Sequence, residues 1–437
     1  MSSPELEATE VLVVGGGQAG VAMSEHLTTR GIAHIVVERN RVAENWRSAR
    51  WDSLVANGPA WHDRFPSMRF DGVADDEFAP KERVADYLER YAEQFCAPIR
   101  TGVEVRSVTR NPAGAGFIAQ TSDGNISARY VVAATGAFQH PAIPPIVPAD
   151  VALTQIHSSD YRNPEQLPAG GVLVVGAGSS GVQIAAELRR SGRDVTLAVG
   201  PHDRPPQRYR GRAFVWWLGT LGLWQAAAPA AGSEHVTIAV SGADGGHTVD
   251  FRDLAADGIR LVGRASGYAD GTLRFDGDLA ANITRGDENY LATLAAADAY
   301  IARNGLDLPE EPEAHVLGPL PADAVTPIRE LNIEEAGITS IVWATGFRSD
   351  YSWLQVDALD DRGLPRHQRG VSSEPGVYFL GLPWQSSRGS TFIWGVWHDA
   401  KYLADQIDIQ GSYLGYEGDG VPWNYTPKLR DPQQASA

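Results

Sequence analysis

The sequence predicts an α/β fold built from two nested Rossmann-like dinucleotide-binding domains, one inserted into the other. Three observations predict it. Residues 11–20, VLVVGGGQAG, recur almost unchanged at 172–181 as VLVVGAGSSG. Two further apolar strands, YVVAATG at 130–136 and SIVWATG at 340–346, both end in Ala-Thr-Gly. The chain has 437 residues, enough for two or three domain cores. The expected division is a first domain over 1–165, an insert over 166–335, and a return to the first domain over 336–437.

Residues 11–14 read as a buried parallel strand, followed by Gly15, Gly17 and Gly20 at GxGxxG spacing. A helix is predicted over 18–30, with Gln18 and Ala19 in its first turn, and IVVE at 35–38 is the next strand. The first glycine permits a tight turn, the second lets backbone approach a pyrophosphate, and the third lets helix pack on strand. Helix N-terminal amides then face the phosphates. Glu38, followed by Arg39, ends the second strand, where an acid accepts hydrogen bonds from an adenosine ribose.

The second copy has the same grammar: strand 172–175, glycines Gly176, Gly178 and Gly181, helix 181–191 and strand 195–199. Ser179 and Ser180 are placed to donate to a pyrophosphate. No acid ends the strand; Arg204 and Arg208 follow instead. A missing acid with nearby arginine is what a ribose 2′-phosphate requires. Two such units in one chain point to FAD in the first and NADPH in the second. HPAIPPIVP at 140–148 reads as a stiff linker between them. Within the insert, 236–240 and 247–251 alternate as a hairpin, and a helix is expected from Asp287, as its cap, to Arg303, stopped by Gly305. A strand at 376–381, a helix at 395–407 and a disordered end at 429–437 complete the chain.

Composition excludes other classes. The net charge of −17 opposes nucleic acid and anionic lipid. The single cysteine, Cys96, forbids a dithiol mechanism within the chain and fits a reducing cytoplasm. No Cys/His/carboxylate spacing suits a metal. The nearly uncharged stretch 213–231 is broken by Gly219, Gly222 and Pro229 and reads as a buried or lid helix rather than a membrane span. A homodimer stays open.

With these motifs in place, the sequence resembles the flavin-containing monooxygenases over nearly its whole length. WDSLVANGPAWHDRFP at 51–66 resembles that family's segment over the flavin, with Asn57 at its asparagine. IHSSDY at 156–161 matches the end of the signature FxGxxxHxxxY, keeping His157 and Tyr161 while Val151 and Leu153 replace its Phe and Gly. GLPWQSSRGSTFIWGVWHDA resembles the aromatic return segment. The resemblance implies Trp46, Thr135, Gly136, Ala344, Thr345, Gly346 and Trp384 at the cofactors. It implies a substrate and O₂ as reaction partners, and transfer of one oxygen atom through a flavin hydroperoxide. Asn57 is the expected catalytic donor, and Trp216, Trp217, Trp394 and Trp397 are expected to wall a substrate pocket.

Overall fold

The computed structural model describes residues 6–227 and 237–414. The chain opens with β1 (Glu7–Val14), α1 (Gln18–Arg30) and β2 (His34–Glu38), followed later by β3 (Gly124–Ala133). It then crosses into the insert: β4 (Thr154–His157), β5 (Gly171–Val175), α2 (Ser179–Arg190), β6 (Val195–Ala198) and the long α3 (Leu279–Asn304). It returns through β7 (Ile338–Trp343), β8 (Val377–Phe379) and α4 (Ile393–Leu414).

Two parallel-strand cores result. In the first sheet β1 lies between β2 and β3, with Val13 beside both Val36 and Val132, and β8 extends it beyond β3. The second sheet runs 260–262, β6, β5, β7, β4, all parallel. Val11, Val13 and Val36 are fully buried, as are Leu173, Val174 and Leu197. Continuous apolar runs of this kind belong to sheets covered on both faces.

Several expectations are corrected. β4 and β7 belong to the second sheet, so the insert is wider than 166–335. The crossings fall where His140–Pro141 pairs antiparallel with Phe347–Arg348. Of the expected hairpin of 236–240 with 247–251, residue 236 lies outside the described residues, one antiparallel bridge joins Ser241 to His247, and 237–238 pairs parallel with His202–Asp203. Residues 247–251 form no strand, and Phe251 opens a short helix. α3 starts well before Asp287, which is no cap: it is buried and ion-paired. Gly305 does end α3, in the left-handed conformation at φ 60°. Within 213–231 the described structure is a short helix, Phe214–Thr220, and a single turn at 223–225; 228–231 lie outside the described residues, as do 429–437. Among the described residues, no helix is long and apolar enough to cross a membrane.

Candidate cofactor and active site

Both glycine turns have the form of phosphate cradles. Gly15 and Gly176 take φ of 113° and 118°, where a side chain would be strained. A Cβ on Gly20 would stand 1.8 Å from the Gly15 carbonyl oxygen, and one on Gly181 1.8 Å from that of Gly176. Only glycine lets either helix approach its strand this closely. Gly17 differs: a Cβ there would meet no protein atom within 4 Å, so the mouth of the first turn is open.

Glu38 is fixed at the end of β2 by backbone amides. Its Oε2 accepts from the Gly16 amide at 2.7 Å and its Oε1 from the Asn40 amide at 2.8 Å. Arg39 beside it is exposed. Gln18 ties this turn to the return segment, donating to the Thr391 carbonyl at 2.8 Å and accepting from Trp46 Nε1 at 3.4 Å. Ala19 is buried beneath. These donors, acceptors and bare glycines fit FAD in the first cradle.

In the second cradle Gly178 is extended ahead of α2, and its amides fit a pyridine nucleotide pyrophosphate. Ser179 donates its hydroxyl proton to the Ile238 carbonyl at 2.9 Å, so backbone rather than this side chain does the donating; Ser180 is half-buried. At the crossings, Thr135 accepts from Gln139 Nε2 at 2.9 Å, and Thr345 donates to the Ala142 carbonyl at 2.6 Å. Gly136 and Gly346 adopt φ of 73° and 80° and face open space. The Ala344 amide caps the sheet by donating to Val175 O at 2.8 Å. His157 clamps the second crossing. Nε2–H donates to the Gly346 carbonyl at 2.9 Å, so Nδ1 accepts from Ser159. Burial lowers its pKa, which keeps this neutral tautomer. It is a structural histidine.

Neither arginine predicted for the 2′-phosphate stands at the strand end. Arg204 is 2% exposed; it pairs with Asp287 at 2.7 Å and lies 4.5 Å from the Tyr290 ring centre. Arg208 is exposed in a hairpin whose Tyr209 donates to Asp298 at 2.8 Å. Asp298 lies 16 residues beyond Asn282 on α3, about 24 Å along its axis. Asn282 marks the true strand end, donating to the Val199 carbonyl at 2.9 Å. One turn on, Arg285 is exposed, lies within electrostatic reach of His202, and has no partner among the described residues. Sequence proximity to the second strand could not reveal it, because α3 is remote in the chain.

Asn57 bridges the two domains. Its Oδ1 accepts from Gln183 Nε2 of α2 at 2.9 Å, and its backbone carbonyl from Gln207 Nε2 at 3.0 Å. Its Nδ2 has no partner among the described residues. The four predicted pocket tryptophans are dispersed. Trp217 is fully buried in the insert, donating to the Tyr209 carbonyl at 2.9 Å, with Trp216 edge-on beside it at 4.7 Å. Trp397 packs α4 on α1, donating to Glu25 at 2.6 Å. Only Trp394 reaches the domain junction, 5.3 Å from Trp224 and 5.4 Å from His62. Its Nε1–H is buried with no partner in the described structure. Trp384 holds a left-handed φ of 54°, with Arg388 5.7 Å above its ring. Trp224 and His62, stacked at 5.3 Å, complete the aromatic junction. Among the described residues no group of His, Cys, Asp or Glu could hold a metal.

Residues 12–210 match the family model described as pyridine nucleotide-disulphide oxidoreductase. An uncharacterized CzcO-like oxidoreductase of Geobacillus kaustophilus is 36% identical over 91% of this chain and 98% of its own length. An indole-3-pyruvate monooxygenase of Oryza sativa is 29% identical over 43% of this chain and 47% of its own. The solved flavin-containing monooxygenase of Stenotrophomonas maltophilia superposes with a TM-score of 0.64 at 18% identity, covering 93% of this chain and 100% of its own. The chain belongs to the CzcO-like oxidoreductases and shares the fold of the flavin-containing monooxygenases: it is a flavin-dependent oxidoreductase, and the matched family implies FAD and NADPH as its cofactors.

Proposed function

We propose that the protein is an NADPH-consuming monooxygenase that adds one oxygen atom to a small, apolar or aromatic substrate, by N- or S-oxygenation or hydroxylation. The overall balance is substrate, O₂, NADPH and a proton giving oxygenated product, water and NADP⁺. FAD and NADPH supply the electrons and activate O₂ when bound. The chain's own residues bind, orient and exclude water.

The observation that carries this reading is Asn57. It reaches the helix that follows the second cradle, gripped by Gln183 and Gln207, and retains a neutral amide donor. A donor without an acid stabilises developing charge on oxygen without releasing peroxide by protonation. The Trp224–His62–Trp394 junction supplies an apolar wall across the domains, and Trp394 Nε1–H supplies one polar handle for a planar substrate. Arg285 at the end of β6 is the proposed contact to the 2′-phosphate. The single exposed cysteine suits a reaction run in the cytoplasm.

A panel of amines, sulfides, ketones and aromatics tests the reading. One member is expected to stimulate NADPH oxidation and yield a product heavier by one oxygen, with O₂ consumed in equal measure. Stimulated oxidation that ends wholly in peroxide would make the protein an oxidase instead.

A further inference from the structure

Arg50 is a cation without a counter-ion in a chain that carries 54 acidic and 37 basic residues. Among the described residues it has no carboxylate partner. Its one described hydrogen bond runs from Nη1 to the neighbouring Ala49 carbonyl at 2.8 Å. A guanidinium has five N–H donors, so most of this one is unspent. It is half-buried, and removal from water pulls its pKa down to about 10.

Two rings hold it. Its guanidinium carbon lies 4.9 Å from the Phe138 ring centre and 5.9 Å from that of Trp46. Phe138 follows the first crossing, is 47% exposed, and touches Phe347 of the second crossing at 5.2 Å. Trp46 is tied to Gln18 of the first cradle. Yet the segment around Arg50 leans toward the insert. Trp51 is buried in the insert's core with Ala177, Trp46 packs against the same cluster, and so does Ala344. Arg50 also acts electrostatically on His157, the clamp of the second crossing.

We infer that Arg50 binds an anionic group of the pyridine nucleotide, a phosphate shared by NADP⁺ and NAD⁺, where the chain crosses between domains. This rests on the reading of the second cradle as the nucleotide site. Held near two rings, the guanidinium is already placed, so little order is lost when the oxyanion arrives.

The test is nucleotide binding to the flavin-loaded protein, read from the flavin absorbance without turnover. Arg50→Met keeps the apolar stem against Trp46 and Phe138 and removes the charge. It is expected to raise the Kd for NADP⁺ about 10- to 100-fold, to raise that for NAD⁺ by a similar factor, and to leave FAD content and Tm unchanged. Arg50→Lys is expected to lie between parent and Arg50→Met. An NADP⁺ Kd within twofold of the parent overturns the assignment. So does loss of FAD in Arg50→Met, which would place the residue on the flavin instead. If the parent itself binds no NADP⁺, the assignment and the proposed function fall together. If it binds NADP⁺ but forms no oxygenated product, only the proposed function falls.

Discussion

At Gly17 the fold does not require the absence of a side chain, because a Cβ there would meet no protein atom within 4 Å. Gly17→Val is therefore expected to yield colourless protein whose far-UV circular dichroism and melting match those of the deflavinated parent. Retained stoichiometric FAD would remove the first cradle from flavin binding. At Asn57 the expectation concerns partition rather than binding. Asn57→Ala removes the amide donor and is expected to shift turnover toward free peroxide. Product and peroxide assays check this, and an unchanged ratio takes Asn57 out of the active site. Arg285→Ala is expected to raise the Michaelis constant for NADPH about 10-fold or more, with NADH little changed. Arg204→Met should instead lower stability by about 1–3 kcal/mol, since the buried Asp287 loses one of its two arginine partners and keeps Arg252. Chemical denaturation separates the two arginines.

Among elements, α4 is held on α1 by a buried polar network. Glu25 of α1 accepts from Trp397 Nε1 at 2.6 Å and from Tyr91 at 2.8 Å, and His26 Nε2 donates to the Trp397 carbonyl at 3.1 Å. His26 is 5% exposed, and burial pulls its pKa from 6.5 to about 3, with Arg30 adding to the shift. The unfolded chain thus binds a proton that the folded chain refuses. Stability is full above pH 6.5 and falls as pH drops toward 3, by about 1.4 kcal/mol per unit. His26→Gln is expected to flatten this part of the pH–stability curve, measured by urea unfolding; an unaltered slope would assign acid sensitivity elsewhere. The same helix pair shows what sequence pattern missed. Trp397 looks like pocket material in a run of aromatics, but the helical spacing turns it toward Glu25 and His26.

At the scale of the molecule, the two cores meet at several places, among them the paired crossings at 140–141 and 347–348, the burial of Trp51 in the insert's core, the Asn57 bridge, and the aromatic junction where Trp224 of the insert lies against His62 and Trp394 of the first domain. Trp224 is 4% exposed, and its Nε1–H donates to the Val215 carbonyl at 3.3 Å. Trp224→Ala is expected to cost about 3–5 kcal/mol in the insert's stability and to admit water at the junction. Its signature would be more peroxide per NADPH than Asn57-intact parent protein gives at the same substrate level. A tight peroxide ratio in a well-folded variant would show that the junction does not seal the reaction.

Local sequence by itself determined both cradles, because a strand, a bare turn and a helix interact within thirty residues and their periods and glycines are written consecutively. It also determined Glu38, the stop at Gly305 and the strand ahead of each Ala-Thr-Gly. Only the tertiary structure decided which side chains share a space. Arg204 was taken by Asp287 of a distant helix, the tryptophans were divided among cores, and Arg285 and Arg50 were left without a carboxylate partner among the described residues. Burial makes the difference: a charge or ring removed from water takes the partner that folding brings nearest, whatever its distance along the chain.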